Sequence, residues 1–395
     1  VDAPVTDSQR LAEAIAPFLD QLITPALVID LDAVAHNLTA AIARFGGPQR
    51  WRPHLKTSKQ AVIISAMLDA GLRKFKVATC DELELALRTA GSHEPEVDVL
   101  LAYPVQRAAF VAAVGLARTH ASATVRLLAD SPAHLEALGH WASELAIGPA
   151  DPLSIMLDVD LGMHRTGSPP ESWSQLAGMP PGLALGGLHG YDGHLQSSQR
   201  EAAWQGYEQL CALAGSLSAR LGIEPGKLEL ITSGTHSYVS ALAHPGLSGG
   251  PWQQTVSPGT IVLSDGRSDA AARDIGLRQA AFVATRVVSV GPDRATLDAG
   301  SKAVSPDVRP PNCTVVDHGE LEPLGPSEEH LPCRITPSAP APQLGELLWL
   351  IPEHVCTTVN LHREAVWIRD GRFAGVGPVG ASGHRPRFQP APREP

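Results

Sequence analysis

From residue 27 the chain alternates short runs of Val, Ile and Leu with segments whose apolar positions recur at helical spacing. "LVIDLD" (27–32) leads into "AVAHNLTAAIARF", and "RPHLKT" (52–57) into "QAVIISAMLDAG". Then come "FKVAT" (75–79), "VDVLLA" (97–102), "TVRLLA" (124–129), "SIMLDVD" (154–160), "LALGGLHGY" (183–191) and "KLELITS" (227–233). Helix-period stretches such as "DELELALRTAG" separate nearly all of them. Apolar strands alternating with helices predict parallel βαβ units. Eight such units suit a (β/α)8 TIM-type barrel, which takes about 200–250 residues. A doubly wound sheet would carry a Gly-rich turn after its first strand, and "VIDLDAVAHN" has none.

After about residue 245 the texture changes. Gly and Pro become frequent, and strand-like pieces replace the helices: "TIVLSDG", "AFVATRVVSV", "ATLDAG", "LLWLIP" and "AVWIRDG". This predicts a mostly antiparallel β domain behind the barrel. The resulting division is an N-terminal helix within 1–24, a barrel over 25–250, a β domain over 251–380 and a tail over 381–395. The first segment places Leu11, Ile15, Phe18 and Leu19 on one helical face, suited to packing on the β domain. The tail has the Pro and Arg content of a disordered end.

Composition narrows the function classes. With 395 residues the chain can build more than one core. A formal charge of −10 with scattered cations gives no electrostatic case for nucleic acid or a membrane surface. No apolar run reaches bilayer length, and the start carries no signal-peptide pattern. The five widely spaced cysteines read as reduced thiols rather than a disulfide framework. A cytoplasmic enzyme is the leading expectation.

Candidate chemistry gathers at the predicted strand ends, where barrels place their active sites. Lys56 ends the second predicted strand; partly desolvated there, its amine could form a Schiff base. A lone strand-end lysine is more often simply solvated. "TSGTHS" ends the eighth predicted strand with Ser233, Gly234 and Thr235, and "SPGT" follows with Ser257, Gly259 and Thr260. Small donors after the last strands of a barrel are a phosphate-binding pattern; each turn alone is equally an ordinary Gly/Ser turn. "DVDLGMHRTG" brings His164 and Arg165 to the end of the sixth predicted strand, and "HGYDGHLQ" brings His189, Tyr191 and His194 to the seventh. In "EHVCTTVNLH", read as a strand, His354 and Cys356 share a face and could be two ligands of a zinc-like ion. On spacing alone they are equally a buried cysteine beside a surface histidine.

Together these residues resemble the fold-type III pyridoxal-phosphate enzymes, within them the D-threonine aldolase and D-serine dehydratase family. The resemblance runs from about residue 22 to residue 375. It rests on "TPALVIDLDAVAHNL", "RPHLKT", "DVDLGMHRTG", "GLHGYDGHL", "SGTHS", "SPGTIVL", "LDAGSKAVS", "SEEHL" and "EHVCTTVNLH" in that order. It implies an alanine-racemase-like barrel with a β domain, acting as a homodimer. It implies that Lys56 holds pyridoxal 5'-phosphate, with His54, Arg165 and Tyr191 around the cofactor and Ser233, Gly234, Thr235, Ser257, Gly259 and Thr260 at its phosphate. His354 and Cys356 become the metal pair, the thiolate favouring zinc over manganese or magnesium. The family usually has histidine where this chain has Ser58, and a smaller residue or proline at His236.

The implied substrate is a small D-amino acid. With His194 as base for a β-hydroxyl proton the outcome is a retro-aldol; with Lys56 removing the α-proton it is dehydration. The motif set favours a D-threonine aldolase, whereas Cys356 is similar to the zinc pair of D-serine and D-3-hydroxyaspartate dehydratases. A racemase has no use for the metal pair, and non-catalytic cofactor carriers are usually single barrels.

Overall fold

The computed structural model describes residues 7–93 and 96–386. The N-terminal six residues and most of the expected tail, 387–395, lie outside them. The first predicted strand forms as β1 (Ala26–Asp30), and the helix Leu31–Phe45 starts where Asp30 Oδ1 accepts the N–H groups of Asp32 and Ala33 at 2.9 and 3.1 Å. There follow β2 (Lys74–Val77), β3 (Asp98–Leu101), β4 (Thr124–Ala129), β5 (Leu153–Asp158), β6 (Leu183–Gly190), β7 (Glu229–Thr232) and β8 (Gln253–Val256). These seven pair in sequence order, all parallel. The segment before Lys56 closes the ring: Trp51 bridges Val256 of β8, and His54 bridges Lys76 of β2, both in parallel. Backbone bonds from Arg52 N to Val256 O (2.9 Å) and from Leu55 N to Lys76 O (2.8 Å) fix that stave. The barrel therefore has eight staves, as the pattern predicted.

Their identities differ from the prediction by one place. β1 is not a barrel stave: it pairs in parallel with β15 (Glu364–Arg369) and antiparallel with β9 (Ala281–Val290). Buried on both faces, it has the same apolar run in either setting, so periodicity could not assign it. The true last stave, β8, reads "QQTV" and carries no apolar run, which hid it; it also lies beyond the expected barrel boundary at 250. Lys56 thus follows the first stave, "DVDLGMHRTG" the fifth, "HGYDGHLQ" the sixth, "TSGTHS" the seventh and "SPGT" the eighth.

The remaining strands are β10 (Arg294–Leu297), β11 (Cys313–Val315), β12 (Leu321–Pro323), β13 (Leu331–Ile335), β14 (Leu347–Pro352) and β16 (Arg372–Pro378). With β1, β9 and β15 they form a nine-stranded sheet, antiparallel except for β1–β15. "TIVLSDG", expected as a strand, instead holds a 3-10 turn at Thr260–Val262. By compactness the described residues up to 41, 57–66 and 260–383 form one unit and 42–56, 67–259 and 384 onward another, a division more interleaved than the contiguous one expected. In the first unit, Leu11, Ala14 and Ile15 of the helix Asp7–Ile15 pack with Val28, Phe282, Trp349 and Ile368.

In the second unit the barrel interior is layered. Arg52 is fully buried, its Nη2 2.7 Å from Glu229 and its Nη1 2.9 Å from Asp98, which Arg126 also engages at 2.7 Å. These groups stand at the starts of their strands. Two residues on come Leu100, Leu128, Met156 and Ile231, an apolar layer as the two-residue period requires. β6 reaches β7 only because position 187 is glycine: φ is +148° there, and a Cβ would lie 2.0 Å from the Glu229 carbonyl oxygen.

Candidate functional site

Beyond the apolar layer, the strand ends of the barrel carry chemistry. Lys56 is exposed, and its N–H donates to His54 Nδ1 at 3.3 Å; His54 is half-buried. The partial burial expected of Lys56 belongs instead to Lys76 on β2, which is 4% exposed. Its Nζ lies 2.7 Å from Nε2 of His189 on β6, whose Nδ1 lies 2.6 Å from Asp158 Oδ1 at the end of β5. Burial pushes the Lys76 amine down to about 7, helped next by the charge of Lys56 and only partly opposed by Asp158. Burial likewise lowers His189. Asp158 stays below the usual carboxylate range, because the charge and hydrogen bond of His189 outweigh its burial. An ionised Asp158 only accepts, so His189 carries its proton on Nδ1 and offers Nε2 as acceptor to Lys76.

Tyr191 follows on the loop after β6. Lys76 Nζ stands 5.1 Å from its ring centroid and the Arg165 guanidinium carbon 5.2 Å. Arg165 itself is exposed, and neighbouring His164 binds Asp160 at 2.8 Å. The ring rests against position 234, where an added Cβ would meet Tyr191 at 3.2 Å, so glycine gives it room. His194 is exposed near Gly162, outside the Lys76–His189–Asp158 chain.

The turn after β7 is held from behind. Gly234 N–H donates to Ser237 Oγ at 3.2 Å, Ser237 Oγ donates to buried Asp192 at 2.6 Å, and Tyr207 also donates to Asp192. Ser233 adopts a left-handed φ of +61° and is fully buried. Thr235 and Gly259 are buried too. Thr232 Oγ1, Ser233 Oγ and Ser257 Oγ are buried with no hydrogen-bond partner among the described residues. Ser257 N–H donates to the Thr232 carbonyl at 3.1 Å, which ties the two strand ends together. Three buried hydroxyls left without partners cost about 1–3 kcal/mol each unless something accepts from them. A phosphate ester is such an acceptor, and the donor set fits it.

The metal pair lies in the other unit. His354 and Cys356 do not sit in a strand, as expected: β14 ends at Pro352 and the helix Val355–Leu361 begins. Tertiary contacts override the β-branched sequence here. Asp265 Oδ2 accepts the Val355 N–H at 3.0 Å, and Ser305 Oγ accepts that of His354 at 3.0 Å. The two side chains nevertheless meet. Burial would lower the His354 pKa, but its hydrogen bond to Cys356 and the Asp307 carboxylate push it up to about 9. His354 Nδ1 lies 2.6 Å from Asp307 Oδ2, while Cys356 Sγ lies 3.1 Å from Thr57 Oγ1 and 3.8 Å from Thr260 Oγ1. Thr260, expected at a phosphate, thus stands beside the thiol. Among the described residues no group of three or more His, Cys, Asp or Glu is arranged as a closed metal site. An imidazole backed by a carboxylate beside a thiol still fits an open site, completed by water or substrate.

Lys76, Asp158 and Asp307 were not singled out from the sequence, whereas Thr232 was named with the donors of "TSGTHS". The first had a signal: a cation at an inward position of the strand "FKVAT". Asp307 had none, because its partner is 47 residues away.

The Alanine racemase, N-terminal domain family matches residues 29–248, more than half of the chain, and the Putative serine dehydratase domain matches residues 280–368. The chain is 28% identical to a D-threonine aldolase of Arthrobacter sp over 92% of its own length and 94% of the relative's. It is 27% identical to the D-threo-3-hydroxyaspartate dehydratase of Delftia sp. (strain HT23), over 72% of its length and 73% of that protein's. Its fold matches the crystal structure of D-threonine aldolase from Filomicrobium marinum with a TM-score of 0.72 at 23% identity, over 91% of this chain and 96% of the other. No helix among the described residues is long and apolar enough to cross a membrane. The barrel, the strand-end lysine and this match leave one assignment: the chain belongs to the alanine racemase N-terminal domain family of fold-type III pyridoxal-phosphate enzymes.

Proposed function

We propose that the chain is a pyridoxal-phosphate- and divalent-metal-dependent lyase acting on D-3-hydroxy-α-amino acids in the manner of a D-threonine aldolase. The observation that carries this reading is the trio of buried hydroxyls on Thr232, Ser233 and Ser257, without a hydrogen-bond partner among the described residues and in the turns that the resemblance assigns to the phosphate. The similarity to the Arthrobacter aldolase spans 92% of the chain, against 72% for the Delftia dehydratase, which favours the aldolase.

When bound, pyridoxal phosphate supplies the electron sink that lets a bond at the substrate α-carbon break. A divalent cation at His354 and Cys356, zinc before manganese or magnesium, supplies Lewis acidity toward the β-hydroxyl oxygen. Lys56 holds the cofactor, with His54 behind its backbone. Arg165 and Tyr191 hold the ring, and Ser233, Gly234, Thr235, Ser257 and Gly259 line the phosphate end. His194 accepts the β-hydroxyl proton as Cα–Cβ breaks, the electron pair stays at Cα, and a proton returns there. Glycine and an aldehyde result.

Cys356 supports a second reading, since a thiolate ligand is similar to the metal pair of the dehydratases. Lys56 then removes the α-proton, the β-hydroxyl leaves with a proton as water, and the enamino acid so formed tautomerises and is hydrolysed by one water to a 2-oxo acid and ammonia. Incubation with D-threonine and D-serine separates the two by product, with metal analysis before and after chelator. Both fail if neither substrate reacts while an alanine enantiomer is racemised. Lys56→Ala is expected to lose the visible absorbance that follows cofactor addition. A homodimer and a cytoplasmic setting belong to the same reading, and light scattering checks the first.

A further inference from the structure

We propose that Lys76 is a positioning residue of the barrel mouth: anchored through His189 to Asp158, it holds the Tyr191 ring in place with its buried charge. The link to cofactor binding rests on the function proposed above; the arrangement of protons does not.

The geometry sets what Lys76 can do. It is 4% exposed, and its Nζ lies 5.1 Å from the Tyr191 ring centroid, so it cannot serve as a nucleophile for substrate and must act through its neighbours. Its charge reaches Asp158 through an intervening imidazole, at 2.7 and 2.6 Å, rather than by direct contact. A carboxylate behind an imidazole fixes the tautomer and turns the free nitrogen toward the third group. The groups facing Lys76 are Lys56 and Arg52 of the first stave, Asp158 of β5, Arg165 beyond it, and His189 and Tyr191 of β6 and its loop. Three of these are cations, so among its named neighbours the Asp158–His189 pair alone compensates the Lys76 charge. That charge and the Arg165 guanidinium are both within cation–π reach of one ring, and that ring abuts Gly234 of the hydroxyl-rich turn. Since the amine titrates near neutrality, its hold on the ring weakens as pH rises through that range.

The first test needs no variant. In the full-length protein labelled with 15N-histidine, His189 is expected to be neutral with its proton on Nδ1; a proton on Nε2 instead would overturn the proposal. Lys76→Gln keeps a donor and loses the charge, whereas Lys76→Met loses both. Both variants are expected to bind pyridoxal phosphate roughly two- to thirtyfold more weakly, the worth of one cation–π contact. Both should lack the decline in wild-type affinity above neutral pH, and both should keep the wild-type tautomer, which Asp158 fixes. Unchanged affinity and pH profile in both variants would refute the positioning role. Failure of D-threonine and D-serine to react would sink the lyase reading while leaving the tautomer result standing.

Discussion

Lys76→Met should make the protein more stable at neutral pH and less stable in alkali. Burial takes the amine from 10.5 to about 7, a shift of 3.5 units. At about 1.4 kcal/mol per unit, keeping the ammonium in the fold costs about 5 kcal/mol below neutrality. The sign follows from proton counts. Between pH 7 and 10.5 the unfolded chain binds a proton that the folded one does not, so wild-type stability rises across that window. Methionine removes the cost, and it also removes the donor to His189 Nε2, leaving a buried acceptor at about 1–3 kcal/mol, and the contact to Tyr191. The net expectation is a gain of roughly 2 kcal/mol at pH 6.5, turning into a loss by pH 10.5. Urea unfolding of both cofactor-free proteins at the two pH values measures it. A variant that is less stable at pH 6.5 by the same margin as at pH 10.5 would show that the buried charge carries no such cost.

Three further predictions follow from the same kind of accounting. Glu229 is held down to about 2 from 4.5 by the Arg52 and Lys74 charges, in spite of its burial. That is about 3 kcal/mol of stability present above pH 4.5 and lost toward pH 2, so Glu229→Gln should lower the unfolding midpoint at pH 7 and converge with wild type in acid; a gap independent of pH contradicts it. Ser233→Ala should leave the stability of the cofactor-free protein unchanged or slightly raised, since the hydroxyl has no partner among the described residues, while weakening pyridoxal phosphate binding roughly ten- to hundredfold. Unchanged affinity, measured by absorbance titration, would remove Ser233 from the phosphate turn. Asp307→Ala should weaken zinc binding roughly 10- to 100-fold, read by chelator competition, because the His354 imidazole loses the carboxylate that orients it.

The architecture was legible because parallel staves announce themselves as apolar runs, and six of the eight, β2 to β7, did so. The stave at 51–54 was also found, within "RPHLKT", although it pairs only through two single bridges. The exchange of β1 for β8 shows the limit of such reading. Burial on both faces looks the same in a barrel and in a mixed sheet, and only pairing partners more than 250 residues away distinguish them. The candidate site residues named from the sequence had local signals: Lys56, Tyr191 and the "SGTHS" and "SPGT" turns. The charge chain from Lys76 to Asp158 joins three strands, and no spacing along the sequence encodes it. His354 and Cys356 were paired for a strand that does not form, yet they meet because a helix start also brings i and i+2 near one another when the first residue lies outside the helix.

The place of β1 bears on how the chain comes to be made. β1 emerges early in synthesis, but β9 and β15, which cover its two edges, end about 260 and 340 residues later. At about 5–20 residues per second, its second edge stays open for roughly 15–70 seconds, long enough for off-pathway pairing with other nascent strands. Within the barrel the stave at 51–54 waits about 200 residues for β8, whereas each of β3 to β8 meets its predecessor as soon as it appears. Productive yield in a cell should therefore depend on whatever shields residues 26–30 during that interval, and slowing translation after the barrel should lower it.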